Sequence, residues 1–138
     1  MSIVESLARI GGIGSDPALT DELDELSALT LDDDELYMAL KNSRRRSVIR
    51  TVAAERAVTL GELAERIAAD ENNKPESRIT RQERKRVYIG LQQSHLGKLD
   101  KHDLINYTGR NPIAATDQTR AAATLLNVIA AARGGSSE

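Results

Sequence analysis

The chain of 138 residues contains no cysteine, no phenylalanine and no tryptophan. Without cysteine there is no disulfide, no thiolate metal site and no thiol nucleophile. With three tyrosines as its whole aromatic content, the chain must build its core from Leu, Ile, Val and Ala. Two histidines, His95 and His102, cannot by themselves complete a dedicated zinc site. No apolar run approaches the roughly 20 residues of a membrane-spanning helix. Met1 to Gly14 lacks the positive start and apolar core of a signal peptide, so a cytoplasmic protein without a membrane partner is expected. Catalytic groupings are missing too. Gly11-Gly12-Ile13-Gly14 has no strand before it and no Lys after it, unlike a phosphate loop. The acids of the N-terminal leader form a run with no partner histidine or activated nucleophile in view. The expectation is a non-enzyme with no cofactor and no metal.

The formal net charge of −2 hides a division. Residues 1–40 hold ten acids and one base, whereas residues 41–138 hold eighteen bases and eleven acids. An acidic arm on a basic domain is the natural reading. Arginine outnumbers lysine by fourteen to five. Low Lys beside abundant Asp and Glu suits a salty cytoplasm.

Local signals divide the chain further. Residues 1–30 fit either a short helix opening at Ser15-Asp16-Pro17 or a partly disordered acidic arm. Asp32 to Lys41 reads as a helix whose acidic start complements the helix dipole. Asn42-Ser43 caps a helix from Arg44 to about Glu55, with Val48, Ile49, Val52 and Ala53 inward. Thr59-Leu60-Gly61-Glu62 is a capping box for a helix ending near Ala69 to Glu71. A polar loop containing Pro75 follows. Thr80-Arg81-Gln82-Glu83 is a second capping box, opening a long helix to about Leu99. Leu104 to Thr108 and Ile113 to Thr116 alternate as two short strands around a turn at Gly109-Arg110-Asn111-Pro112. Asp117 then caps an Ala-rich helix, and residues 134–138 form a flexible tail.

The order helix, helix, helix, hairpin, helix matches a mainly α winged helix-turn-helix with a two-stranded β-hairpin wing and a C-terminal helix. The domain spans residues 31–117, with the C-terminal helix at 118–133. Asn42-Ser43-Arg44-Arg45-Arg46, Leu60-Gly61-Glu62-Leu63-Ala64, Glu83-Arg84-Lys85-Arg86-Val87-Tyr88-Ile89, His95-Leu96 and Lys98-Leu99 together resemble a haloarchaeal family of winged-helix transcriptional regulators. The run His95-Leu96…Leu99…Leu104-Ile105 is similar to the ArsR and MarR broad class. The resemblance covers roughly Leu31 to Thr116. It implies an archaeal, halophilic, sequence-specific regulator of transcription. Metal sensing of the ArsR kind does not carry over, because the cysteine ligands are missing.

The residues give the same expectation a chemical form. On an ideal helix Val87, Tyr88, Leu91, His95 and Leu99 share one side, while Gln82, Arg86, Gly90, Gln93 and Gly97 share the other. Gln pairs bidentately with adenine and Arg with guanine, so the second face suits a major groove. Arg81, Arg84 and Lys85 are placed to reach flanking phosphates. A solvated charged face is the plainer alternative. Arg44, Arg45 and Arg46 stand at a helix start, where cations oppose the dipole. Phosphate contact is one reason for that placement, and pairing with the acids of residues 1–40 is another. Arg110, at the hairpin tip, suits a minor groove or an ordinary exposed turn. His95 reads as a hydrogen-bonded core histidine and His102 as a surface residue. Leu125, Val128 and Ile129 are the expected seam of a homodimer, the alternative being that this helix packs only within its own domain. The expected partner is therefore double-stranded DNA. The rival is a winged-helix protein-interaction module without DNA affinity, which the acidic arm favours.

Overall fold

The computed structural model describes residues 24–133. The expectations for the arm before residue 24 and for the tail at 134–138 lie outside the described residues. The protein is mainly helical, with a small two-stranded antiparallel sheet and a C-terminal helix. In chain order the elements are α1 (Asp33–Leu40), α2 (Ser43–Glu55), β1 (Ala57–Val58), α3 (Leu60–Asn72), α4 (Arg81–Gly90), α5 (Leu96–Lys101), β2 (Ile113–Ala114) and α6 (Asp117–Ala132). A single turn of 3-10 helix, Glu76–Arg78, precedes α4.

Capping chemistry sets where the helices begin. Asp32, Thr59 and Thr80 each accept from the backbone N–H three residues on, and Glu35, Glu62 and Glu83 reach back to the cap's own N–H. Two orphan amides are thereby satisfied at each start. Asn42 Oδ1 accepts from the Arg44 and Arg45 amides at 2.9 and 3.1 Å. Thr116, one residue before the expected Asp117, caps α6. At the far end of α3 the Asn73 cap is left-handed, with φ of 53°, a conformation that Asn tolerates.

The main core joins Val48, Ile49 and Val52 of α2, Leu63, Ala64 and Ile67 of α3, and Val87 of α4 to Leu96 and Leu99 of α5. Leu104, Ile105 and Ile113 close one end. Helix α6 packs along α2 and adds Ala122 and Leu126. A second, smaller cluster consists of Leu26, Leu36 and Leu125, all but fully buried. Residues 24–30 are thus fastened to the domain. Gln118 reinforces this, accepting from the Thr30 amide at 3.0 Å and donating to the Ala28 carbonyl.

Leu125 has no exposed surface and touches its own chain's core. This corrects the expectation of Leu125 as a dimer seam: the side chain is already covered, by Leu26 and Leu36. Val128 and Ile129 are half-buried against the same cluster.

The long helix runs from Arg81 to Lys101 but is not uniform. Leu91–His95 form a single π-helical stretch between α4 and α5. The buried positions are Val87, Leu91, Leu96 and Leu99, and the interval of five between Leu91 and Leu96 is the wider turn. An ideal helix would have brought His95, not Leu96, to the core beneath Leu91.

The sheet also differs from expectation. Strand β2 pairs antiparallel with β1, Ala57 opposite Ala114 and Val58 opposite Ile113. The predicted strand at Leu104 to Thr108 contributes one isolated bridge, Asn106 to Ala114. Leu104 and Ile105 are instead both buried, so no period-two alternation remains there. The intervening loop is pinned to α3, because Asn111 Oδ1 accepts from the Leu60 amide at 2.8 Å.

Candidate nucleic-acid interface

The three arginines at the start of α2 turn back into the protein. Arg45 is 5% exposed. Its Nε donates to the Met38 carbonyl at 3.0 Å, and a terminal nitrogen stands 3.3 Å from His95 Nδ1. Arg46 donates to the Leu40 carbonyl at 2.8 Å. Both therefore serve the C-terminal end of α1, whose last turn has no cation of its own. Cations there satisfy orphan carbonyls and complement the dipole of α1, which accounts for their unfavourable place on α2. Arg44 makes a two-pronged pair with Glu71 of α3, at 2.6 and 2.9 Å. Its pKa is raised by that hydrogen bond. Neither the acids of residues 32–34 nor a surface position explains the Arg45 contacts.

Gly90 belongs to this arrangement. A Cβ at Gly90 would lie 2.7 Å from an Arg44 terminal nitrogen, so the glycine lets Arg44 cross α4 toward Glu71. The close contact at Gly90 is made by the protein itself. At Gly97 nothing lies within 4 Å of a Cβ.

Arg84 is likewise engaged. Its Nε is 3.5 Å from a Glu65 carboxylate oxygen, its guanidinium lies 5.9 Å from the Tyr88 ring centre, and a Cβ at Gly61 would stand 2.9 Å from its Nη2. Arg84 thus ties α4 to α3. Lys74 pairs with Glu83 at 2.9 Å. The Glu83 carboxyl is held below its usual range, first by the Thr80 amide and then by Lys74.

What remains on the outer face of α4 is a different set. Arg81, Gln82, Lys85, Arg86 and Ile89 line one shallow hollow, and all five are exposed. No hydrogen bond or ion pair links Arg81, Lys85 or Arg86 to another described side chain, whereas Arg44, Arg66, Lys74, Arg84 and Arg120 each have an acidic partner. Gln93 is exposed on the π stretch. The wider turn rotates the residues that follow it, Gly97 among them, relative to the straight stripe expected through Gln82 and Arg86. Arg110 is exposed in the loop before β2. Sequence reasoning missed Ile89 as a member of this face; its position three after Arg86 and seven after Gln82 was the available signal.

His95 is half-buried, and its pKa is lowered by burial and then by the positive charges of Arg45, Arg44 and Lys98, with Glu71 opposing them. Arginine can only donate, so Nδ1 accepts and the neutral ring carries its proton on Nε2. His102 Nδ1 stands 3.1 Å from a Glu35 carboxylate oxygen. Among the described residues no group of His, Cys, Asp or Glu is arranged to hold a metal ion. No described helix is long and apolar enough to cross a membrane.

A family described as a domain of unknown function (DUF7344) matches residues 37–115, more than half of the 138 residues. The chain belongs to the DUF7344 family. No curated protein and no solved structure matches the chain. The family match begins within α1 and ends just past β2. It therefore takes in the outer face of α4 and the Arg44–Glu71 and Arg84–Glu65 ties behind it, and leaves α6 outside.

Proposed function

We propose that this DUF7344 protein binds double-stranded DNA as a sequence-specific winged helix-turn-helix regulator of transcription. In this reading α3 and α4 are the helix-turn-helix and α4 lies in the major groove. The observation that carries the reading is the division among the cations. On α4 itself the inward-turned Arg84 is paired with Glu65, while Arg81, Lys85 and Arg86 stand together beside Gln82 with no partner among the described residues. Clustered like charges repel one another, so a face that keeps them unpaired is suited to meet an anion. Gln82 and Arg86 have the bidentate geometry for base edges, and Arg81 and Lys85 the reach for phosphates.

The topology supports the winged part of the proposal. Strand β2 lies between β1 on one side and Asn106 on the other, and the exposed loop carrying Gly109 and Arg110 joins Asn106 to β2, the connection that a wing would make. Arg110 at its tip suits a neighbouring phosphate or the minor groove. Arg44, Arg45, Arg46 and Arg84 act from behind, fixing α1, α3 and α4 relative to one another. A homodimer on a palindromic site belongs to the same reading. With Leu125 covered, the exposed side of α6 at Asn127, Ala130 and Ala131, flanked by Val128 and Ile129, would form its seam.

The test is selection from a pool of random duplexes by the purified full chain. Enrichment of a defined sequence, lost in an Arg86→Ala variant, is the expected result. Recovery of no sequence above background at low salt would remove the proposal and favour a protein-interaction module.

A further inference from the structure

Resting on the DNA-binding reading, we infer that Ile89 reads the C5-methyl group of a thymine, and so sets part of the sequence specificity. Two large apolar or aromatic side chains are exposed among the described residues, Tyr37 and Ile89. The Tyr37 ring has an intramolecular partner, with the Lys41 ammonium 5.5 Å from its centre. Ile89 is 37% exposed and shares its hollow with Arg81, Gln82, Lys85 and Arg86. Among the described residues, the three cations and the amide around Ile89 have no ionic partner, and no other apolar side chain lines that hollow to cover it. An apolar protein partner would have to desolvate those cations without anions to meet them. Duplex DNA supplies both chemistries at once: phosphates for the cations, and in the major groove one apolar group, the thymine methyl.

The helix geometry fixes where that thymine lies. Ile89 follows Arg86 by three residues, about 4.5 Å along the axis at ~1.5 Å per residue. Base pairs are spaced by ~3.4 Å. The methyl that Ile89 meets is therefore one or two base pairs from the guanine that Arg86 reads.

The experiment uses the sequence enriched by the wild-type chain. Each thymine is replaced in turn by uracil, which removes the methyl and leaves every hydrogen-bonding group in place. Burying one methyl is worth about a fourfold change in affinity. We expect one or two positions near the Arg86-dependent guanine to weaken by about that factor. Ile89→Ala should bind thymine and uracil duplexes alike at those positions, and Ile89→Val should retain most of the preference. Ile89 is on the surface, so both variants should melt with the wild type. Enrichment of a sequence without any uracil penalty overturns the inference alone, as does a penalty that persists in Ile89→Ala. Failure to enrich any duplex overturns the DNA-binding reading, and the inference falls with it.

Discussion

Replacing Gly90 and Gly97 by alanine, one at a time, separates two roles for glycine in one helix. An interior helical Gly→Ala change stabilises by about 1 kcal/mol through propensity and backbone entropy. At Gly97 nothing lies within 4 Å of the new Cβ, so Gly97→Ala should show that gain in full. For a domain of this size it corresponds to a rise in melting temperature of roughly 4 °C. At Gly90 the Cβ would come within 2.7 Å of the Arg44 terminal nitrogen that does not hold Glu71, so the end of the Arg44 side chain must shift and its pair with Glu71 is strained. The two side chains are 29% and 34% exposed, and a pair at that depth contributes at most about 1 kcal/mol. The strain offsets part of the gain, and Gly90→Ala should raise the melting temperature by less than Gly97→Ala. Differential scanning calorimetry of the two variants side by side is the assay. Equal stabilisation by both substitutions would refute the claim that Gly90 exists to let Arg44 pass.

Leu125→Glu should unfold the protein rather than yield a folded monomer, because it removes a fully buried leucine and inserts an unpaired charge, a loss on the order of 4 kcal/mol. A cooperative thermal melt near the wild-type temperature would show that Leu125 is not core. Stability should also depend on pH through His95, whose folded pKa is depressed, by burial above all, below its ordinary 6.5. The unfolded chain then takes up the proton first. The contribution of His95 is full above about pH 6.5 and is lost as pH falls through the lower folded value. Urea denaturation from pH 7.5 to 5 should show the decline, and His95→Gln should flatten it; an unaltered slope in the variant would assign the dependence elsewhere.

Much of the helical framework is written in local chemistry. The capping boxes at Thr59 and Thr80 and the acidic start at Asp32 mark α3, α4 and α1 because they act within four residues. What escaped that reading depends on distant partners. Arg45 looks like any surface cation until the carbonyl end of α1 is brought beside it. Leu125 looks like a seam until Leu26 and Leu36 cover it. The two-residue β1 carries too few positions for a period, and its pairing with Ile113 and Ala114 spans over fifty residues of chain. The π stretch is the subtle case. The spacing from Leu91 to Leu96 was visible, but an ideal period assigned His95 to the core instead. The outer face of α4 was legible as a cationic patch. Which of its cations lack an acidic partner was not, since Glu65 reaches Arg84 from another helix.

The measurement that bears most directly on the DNA-binding reading is a titration of duplex DNA at several salt concentrations, comparing wild type with an Arg81→Ala, Lys85→Ala, Arg86→Ala protein. These three side chains have no described intramolecular partner, so the variant should fold and melt as the wild type does. Affinity for the wild type should fall steeply with salt, as released counterions require. The variant should bind at least tenfold more weakly, and its logarithmic salt slope should be shallower by about two, the contribution of the Arg81 and Lys85 phosphate contacts. A folded variant whose affinity and slope match those of the wild type would contradict the assignment of the outer face of α4 as the DNA interface.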